Sequence, residues 1–115
     1  MTSGEQSRQD AVVLRIFIGE DDRFENAPFY ETIVLKAREM GMAGATVIRC
    51  PMGYGHSSLV HTTKILRLSQ DLPLVIEIID SEDKINAFLP TLAGITTGGL
   101  PTLEKVTVIR FGAKA

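Results

Sequence analysis

The sequence predicts an α+β fold, a four-stranded antiparallel sheet with two helices packed on one of its faces. Three observations predict it. Runs rich in β-branched and aliphatic residues recur at 11–18, 43–50, 74–79 and 106–111. Two segments between them carry apolar residues at helical spacing. The resulting order is strand, helix, strand, strand, helix, strand, which is the split-βαβ or ferredoxin-like arrangement.

Residues 1–10, MTSGEQSRQD, are polar and read as a flexible tail. The domain then occupies residues 11–112. Its first strand is AVVLRIFI, residues 11–18, ending at Gly19. Glu20, Asp21, Asp22 and Arg23 follow as a loop, and Asn26 and Pro28 announce a helix. Tyr30, Ile33, Val34, Ala37 and Met40 recur at helical spacing, so residues 28–40 form an amphipathic helix that Gly41 stops. AGATVIRC, residues 43–50, is the second strand, broken by Pro51 and the Gly53-Tyr54-Gly55 cluster. Residues 56–71 have no decisive periodicity.

Pro73 opens the clearest strand, LVIEII at residues 74–79. Asp80 or Ser81 caps a second helix, with Glu82 and Asp83 in the first turn, where the macrodipole favours acids. Ile85, Phe88, Leu89 and Leu92 form its apolar stripe. Pro90 conflicts with this helix, because an interior proline removes a backbone bond and kinks or ends it. Residues 94–102 read as a loop, and residues 106–111 as the last strand.

Alternation splits each central strand in two. Leu14, Ile16, Ile76 and Ile78 form a purely apolar set that meets Ile33, Phe88 and Leu92 of the helices. Val13, Phe17, Val75 and Ile79 form a second set, with one charge per strand, Arg15 and Glu77. A solvated sheet face is more polar than that, so this face is expected to be an interface with Arg15 and Glu77 as charge partners.

The chain has 115 residues, of which 44% are hydrophobic and 23% charged, which fits one globular domain. Its net charge is −2, from 12 basic and 14 acidic side chains, which excludes a generic electrostatic nucleic-acid binder. Cys50 is the only cysteine, so there is no internal disulfide, and a reducing cytoplasm suits the chain. No apolar run reaches the ~18 residues of a membrane span, and the N-terminus has no signal-peptide core.

Four blocks, LRIFIGE, AREMGMAGATVIRC, GYGHSS and LPLVIEIID, give a specific resemblance over residues 14–111. In that order and spacing they resemble the bacterial PII-like proteins known as domain of unknown function 190. That family is similar in fold to the PII nitrogen-signalling proteins, trimers that bind nucleotides in clefts between subunits. In PII proteins an arginine-glycine strand end leads into the long T-loop, with a glycine–aromatic–glycine turn and a histidine. Arg49, Gly53, Tyr54, Gly55 and His56 occupy the comparable stretch, and Leu72-Pro73 opens the next strand as a leucine-proline does there. The phosphate-cradling B-loop of PII proteins reads Thr-Gly-x-Ile-Gly-Asp-Gly-Lys. Thr97-Gly98-Gly99-Leu100 matches its beginning. Pro101, Thr102 and Leu103 then replace the glycine-aspartate-glycine stretch and leave Lys105 as the nearest cation. The tyrosine that PII proteins modify on the T-loop is not matched, since Tyr54 sits in the turn.

The resemblance implies a homotrimeric regulatory module rather than an enzyme. Its expected ligand is a small anion, with ATP, ADP and AMP as candidates, held between Arg49–His56 of one subunit and Thr97–Lys105 of its neighbour. Arg49 and Lys105 supply cations. Gly53, Gly55, Gly98 and Gly99 let backbone amides approach closely. Tyr54 can stack on a ring, and His56 adds a pH-dependent contact. Residues 52–71 are the expected docking loop for a partner protein, such as a membrane transporter or channel. No cofactor and no nucleic acid are implied.

Each candidate also has a plainer reading. Gly53-Tyr54-Gly55 serves equally as a strand-ending turn, and Thr97-Gly98-Gly99 as an ordinary loop. Arg49 is either an interface ion pair or a ligand clamp, and Glu20-Asp21-Asp22 a solvated loop. Cys50, His56 and His61 offer soft donors, which keeps open a metal-binding trimer of the copper-tolerance type, although their spacing matches no structural zinc motif. His56-Ser57-Ser58 lacks the acid that would orient a catalytic histidine.

Overall fold

A computed structural model gives the fold and describes residues 6–53, 72–96 and 98–112. Strand β1 is Gln6–Gly19, and a small hairpin of β2 (Arg23–Phe24) and β3 (Ala27–Pro28) follows. Helix α1 is Phe29–Glu39, β4 is Gly44–Arg49 and β5 is Pro73–Asp80. Helix α2 is Glu82–Ile95, and β6 is Leu100–Phe111. The main sheet has four strands in the order β4-β5-β1-β6, and every neighbouring pair is antiparallel. This is the ferredoxin-like topology expected from the element order.

The core is the predicted one. Leu14, Ile16, Ile33, Ile76, Ile78, Phe88 and Leu92 are all buried, in one cluster between the sheet and the helices. Cross-strand register explains this packing, since Leu14 stands opposite Ile78 and Ile16 opposite Ile76. Phe29 is fully buried as well, so the stripe of α1 runs Phe29, Ile33, Ala37, with Tyr30, Val34 and Met40 only partly covered.

Three boundaries differ from expectation. Gln6–Asp10, expected in a flexible tail, belong to β1 and pair with the end of β6, Gln6 opposite Phe111 and Asp10 opposite Thr107. The expected loop at residues 94–102 is shortened at both ends, because α2 runs on to Ile95 and β6 starts at Leu100. Pro90 neither ends α2 nor stops its apolar stripe. Pro90 is exposed, and so is Asn86 one turn earlier, so the carbonyl deprived of a partner lies on the wet side of the helix. The β2–β3 hairpin has no counterpart in the sequence pattern. Its turn places Glu25 at a φ of 56°, a conformation that composition does not announce.

The helix ends are satisfied across elements. Lys84 Nζ of α2 donates to the carbonyls of Met40 and Gly41 at 3.4 and 3.0 Å, closing the end of α1. Asp80 Oδ2 accepts from the Ala43 amide at 2.9 Å and Oδ1 from that of Ser81 at 2.7 Å. Ser81 caps α2, its Oγ accepting from the Lys84 amide at 3.3 Å. Ser81→Ala is therefore expected to destabilise the fold by about 1 kcal/mol, measured by urea denaturation at fixed protein concentration.

On the outer sheet face Arg15 Nε donates to Glu77 Oε2 at 2.8 Å, directly across the strands, and Arg15 Nη1 also pairs with Glu104 of β6. The predicted Arg15–Glu77 partnership thus forms within one chain. The Glu77 hydrogen bond, then the Glu104 one, holds the Arg15 guanidinium above its usual pKa. A raised base stabilises the fold below its unfolded pKa and loses that contribution only above it. Arg15 itself therefore adds no pH dependence in the physiological range. Val13 beside it is buried, whereas Phe17 is 40% exposed.

Candidate functional site

The predicted site residues that are described gather mainly at one end of the sheet. Arg49, last in β4, stands opposite Leu74 of β5, and Leu74 stands opposite Ile18 of β1. Gly99 lies against Ile18 on the far side, next to the start of β6. Arg49 and Gly99 therefore share one end of the sheet but occupy opposite edges, roughly 14 Å apart by three strand spacings. Lys105 does not join them. It pairs with Val12 in the middle of β6, about 20 Å along the strand from Gly99, and lines a cleft with Asp10, Glu82 and Thr107. Tyr54, Gly55, His56, His61 and Thr97 lie outside the described residues, as does the stretch from 56 to 71.

The base of the predicted docking loop is tied to the sheet end at both sides. The Cys50 amide donates to the Pro73 carbonyl at 3.0 Å, and the Glu20 amide to the Leu72 carbonyl at 2.7 Å. Gly53 adopts a φ of 149°, and a Cβ there would stand 3.2 Å from Pro73 Cγ. Its permissive backbone is used for close packing under the loop base.

Arg49 is paired within the chain, its guanidinium donating to Glu20 Oε2. The other carboxylate oxygen, Glu20 Oε1, is buried and has no hydrogen-bond partner among the described residues. Sequence reasoning misses Glu20 by placing it in a solvated loop. The available signal is its position directly after the strand-ending Gly19. Asp22 is likewise structural, since its Oδ2 accepts from the Gly19 amide at 3.0 Å. Arg49 keeps 61% of its side chain exposed, so one edge of its guanidinium remains accessible to an anion.

The glycine loop is only partly a nest. The Gly98 amide donates to Thr96 Oγ1 at 3.2 Å, and that hydroxyl donates to the Gly98 carbonyl at 2.7 Å. The Gly98 amide, expected to be able to approach an anion, is already satisfied by the Thr96 side chain. Gly99 has a φ of 90° and touches β1 closely. Beside the two glycines opens a groove of about 530 Å³, lined chiefly by apolar side chains including Ile16, Leu89, Leu92 and Pro101. The arrangement offers an apolar groove at one edge and a cation at the other. Among the described residues no group of three or more His, Cys, Asp or Glu could hold a metal ion. No described helix is long and apolar enough to cross a membrane.

This architecture is that of the PII-like proteins. Over 88% of the chain it superposes on 91% of a Thermus thermophilus protein assigned as PII-like signalling, with a TM-score of 0.61 at 15% identity. It also matches CPII from Thiomonas intermedia, a structure solved with ADP and bicarbonate, with a TM-score of 0.58 at 16% identity over 92% of this chain and 98% of that one. The chain itself belongs to the domain of unknown function 190 family (DUF190, “Uncharacterized ACR”), whose model matches residues 11–108. It is 46% identical over 97 residues to a UPF0166 protein of Aquifex aeolicus, covering 84% of this chain and 91% of that protein. It is 39% identical over 82 residues to a UPF0166 protein of Methanocaldococcus jannaschii, covering 71% and 75%.

Proposed function

We propose that this protein is a PII-like regulatory module that binds a small anionic effector, most simply an adenine nucleotide, between two copies of the chain. One observation carries the reading. The exposed guanidinium of Arg49 and the Gly98–Gly99 loop occupy the same end of the sheet on opposite edges. At roughly 14 Å within one chain they do not share a small ligand, whereas an edge-to-edge neighbour brings one to the other. Arg49 would bind a phosphate or carboxylate, and the apolar groove beside Gly99 would take the ring. CPII, which has the same fold, has been solved with ADP and bicarbonate, so ligands of this chemistry suit the architecture. The working assembly is a homotrimer with the half-apolar sheet faces turned inward, covering Phe17, Val75 and Ile79. Residues 52–71 would dock a partner protein, a membrane transporter or channel, in the cytoplasm. The role is binding rather than catalysis.

Calorimetric titration of wild type and Arg49→Ala with ADP, AMP, ATP and bicarbonate tests this. Removing a charge-assisted hydrogen bond is expected to weaken binding about 10- to 100-fold. No binding to wild type across the panel, or equal binding to both proteins, would remove the site.

A further inference from the structure

We infer that Glu20 is an internal competitor for Arg49. Its carboxylate occupies the guanidinium in the unliganded chain, an entering anion binds only against that carboxylate, and the rivalry sets the concentration at which the site fills. The inference deepens the reading above and rests on it, since Arg49 is the cation proposed there to hold the anion. The ion pair itself is the motive. Arg49 donates from Nη2 to Glu20 Oε2, so the cation exposed to an external anion already carries an internal one. Carboxylate and phosphate oxygens are recognised by the same guanidinium geometry. Glu20 and the effector are therefore rivals for one group rather than neighbours with separate roles.

The carboxylate is delivered by a braced turn. Glu20 directly follows Gly19, the last residue of β1, and its amide donates to the Leu72 carbonyl at 2.7 Å. Gly19 and Asp22 close the turn twice. The Asp22 amide donates to the Gly19 carbonyl at 3.1 Å, and Asp22 Oδ2 accepts from the Gly19 amide at 3.0 Å. The Asp22 carbonyl accepts from the Phe29 amide at 2.8 Å, and Phe29 is fully buried at the start of α1. Arg49 is fixed from the other side of β5. It stands opposite Leu74, and the amide of the next residue, Cys50, donates to the Pro73 carbonyl at 3.0 Å. Both backbones are thus tied to the same end of β5, and the two side chains meet across it. A carboxylate held in this way is present at Arg49 at a high effective concentration, against which a free anion competes from solution.

Exposure divides the roles within the pair. The Glu20 side chain is 20% exposed and that of Arg49 61%. The carboxylate is the seated member, and the guanidinium is the one that solvent and an anion can reach. Arg49 has five N–H donors, so geometry alone lets it hold Glu20 and a ligand together. Charge opposes that arrangement, because two anions on one guanidinium repel, and Glu20 is partly shielded from water. Displacement of Glu20 and sharing of Arg49 therefore both cost affinity, and the sign is the same. The nearest cation in sequence does not relieve Arg49 of its partner. Arg23 donates from Nη2 to the Asn26 carbonyl at 2.9 Å, within the β2–β3 hairpin.

Calorimetric titration of wild type, Glu20→Gln, Arg49→Ala and the double variant with ADP, AMP, ATP and bicarbonate tests the competition. Ionic strength is held fixed, and circular dichroism confirms folding. Glutamine keeps the shape of the side chain and a neutral acceptor for Arg49 while removing the charge. Glu20→Gln should bind each anion that wild type binds roughly 3- to 10-fold more tightly, between the worth of an exposed ion pair and that of a charged hydrogen bond. The gain acts through Arg49, so the double variant should bind no better than Arg49→Ala. If Glu20→Gln binds no tighter than wild type while Arg49→Ala binds more weakly, the competition is overturned and the site stands, with Glu20 merely positioning Arg49. An equal gain from Glu20→Gln in the Arg49→Ala background would also overturn it, since Glu20 would then act on the anion at long range. No binding of any of the four anions to wild type, or equal binding to wild type and Arg49→Ala, would remove the site and the competition with it. Should Glu20→Gln fail to fold, Glu20→Ala replaces it, with the same expected sign and the same outcomes against it.

Discussion

Replacing Phe88 with alanine is expected to lower the unfolding free energy by about 3–5 kcal/mol, the range for deleting a buried aromatic ring. Phe88 is fully buried in α2, within the cluster that also holds Leu14, Ile16, Ile76 and Ile78. Those neighbours belong to strands locked by cross-strand pairing, so they cannot collapse into the space left behind. The expected loss is a large part of the total stability of a domain this size, about 5–15 kcal/mol. Urea titration at a fixed concentration measures it. Leu89→Ala, at a partly covered position on the same helix, should lose clearly less. A Phe88 loss no greater than that of Leu89 would mean that the core is not organised around the sheet as described.

Gly99→Ala should cost about 2–5 kcal/mol, adding backbone strain to overpacking. Its φ of 90° is one that side chains rarely adopt. The added Cβ would stand 2.9 Å from Ile18 Cγ2 and 3.1 Å from the Phe17 carbonyl oxygen. Ile18 is buried and the Phe17 carbonyl is backbone, so neither can give way cheaply. Gly94 supplies the opposite sign. It lies in α2 at a helical φ, and a Cβ added there would meet nothing within 4 Å, so Gly94→Ala should stabilise by about 0.5–1 kcal/mol. Thermal or urea unfolding of the two variants side by side checks both signs. Two losses of equal size would show that neither position behaves as its backbone geometry requires.

Most of the architecture is legible in the sequence because it rests on period. Alternation in residues 11–18 and 74–79 separates Leu14, Ile16, Ile76 and Ile78 from Val13, Phe17, Val75 and Ile79, and the structure keeps that division. The helix stripes are legible for the same reason, apart from Phe29, which lies one residue before the repeat that Tyr30 begins. The ends of β1 and β6 are not. Gln6–Asp10 are polar and carry no strand pattern of their own, and they become strand only because β6 lies beside them. Pro90 misleads in the other direction, since a local rule about helix interiors does not state which side of the helix faces water.

The candidate site divides along the same line. Residue types mark Arg49, Gly53, Gly98 and Gly99, because glycines at chain breaks and a cation at a strand end are visible in one dimension. Their relations are not visible there. Glu20 meets Arg49 across β5, and Thr96 takes up the Gly98 amide that residue type alone leaves free. Lys105, six positions from Gly99 in sequence, lies far from it because the intervening residues are extended strand rather than loop.

What the sequence determined by itself was the fold class, the core and the family, since each follows from hydrophobic period or from residue order along the chain. What only the tertiary structure decided was which charges are already paired, which amides are already used, and which of the described strands lie at the edges of the sheet. Those depend on strand order and register, which bring together residues such as Arg15, Glu77 and Glu104 from three distant segments. Short-range patterns of apolar and polar residues encode the faces of an element. They do not encode which neighbour each face or edge will meet, because that is settled by packing among all the strands at once.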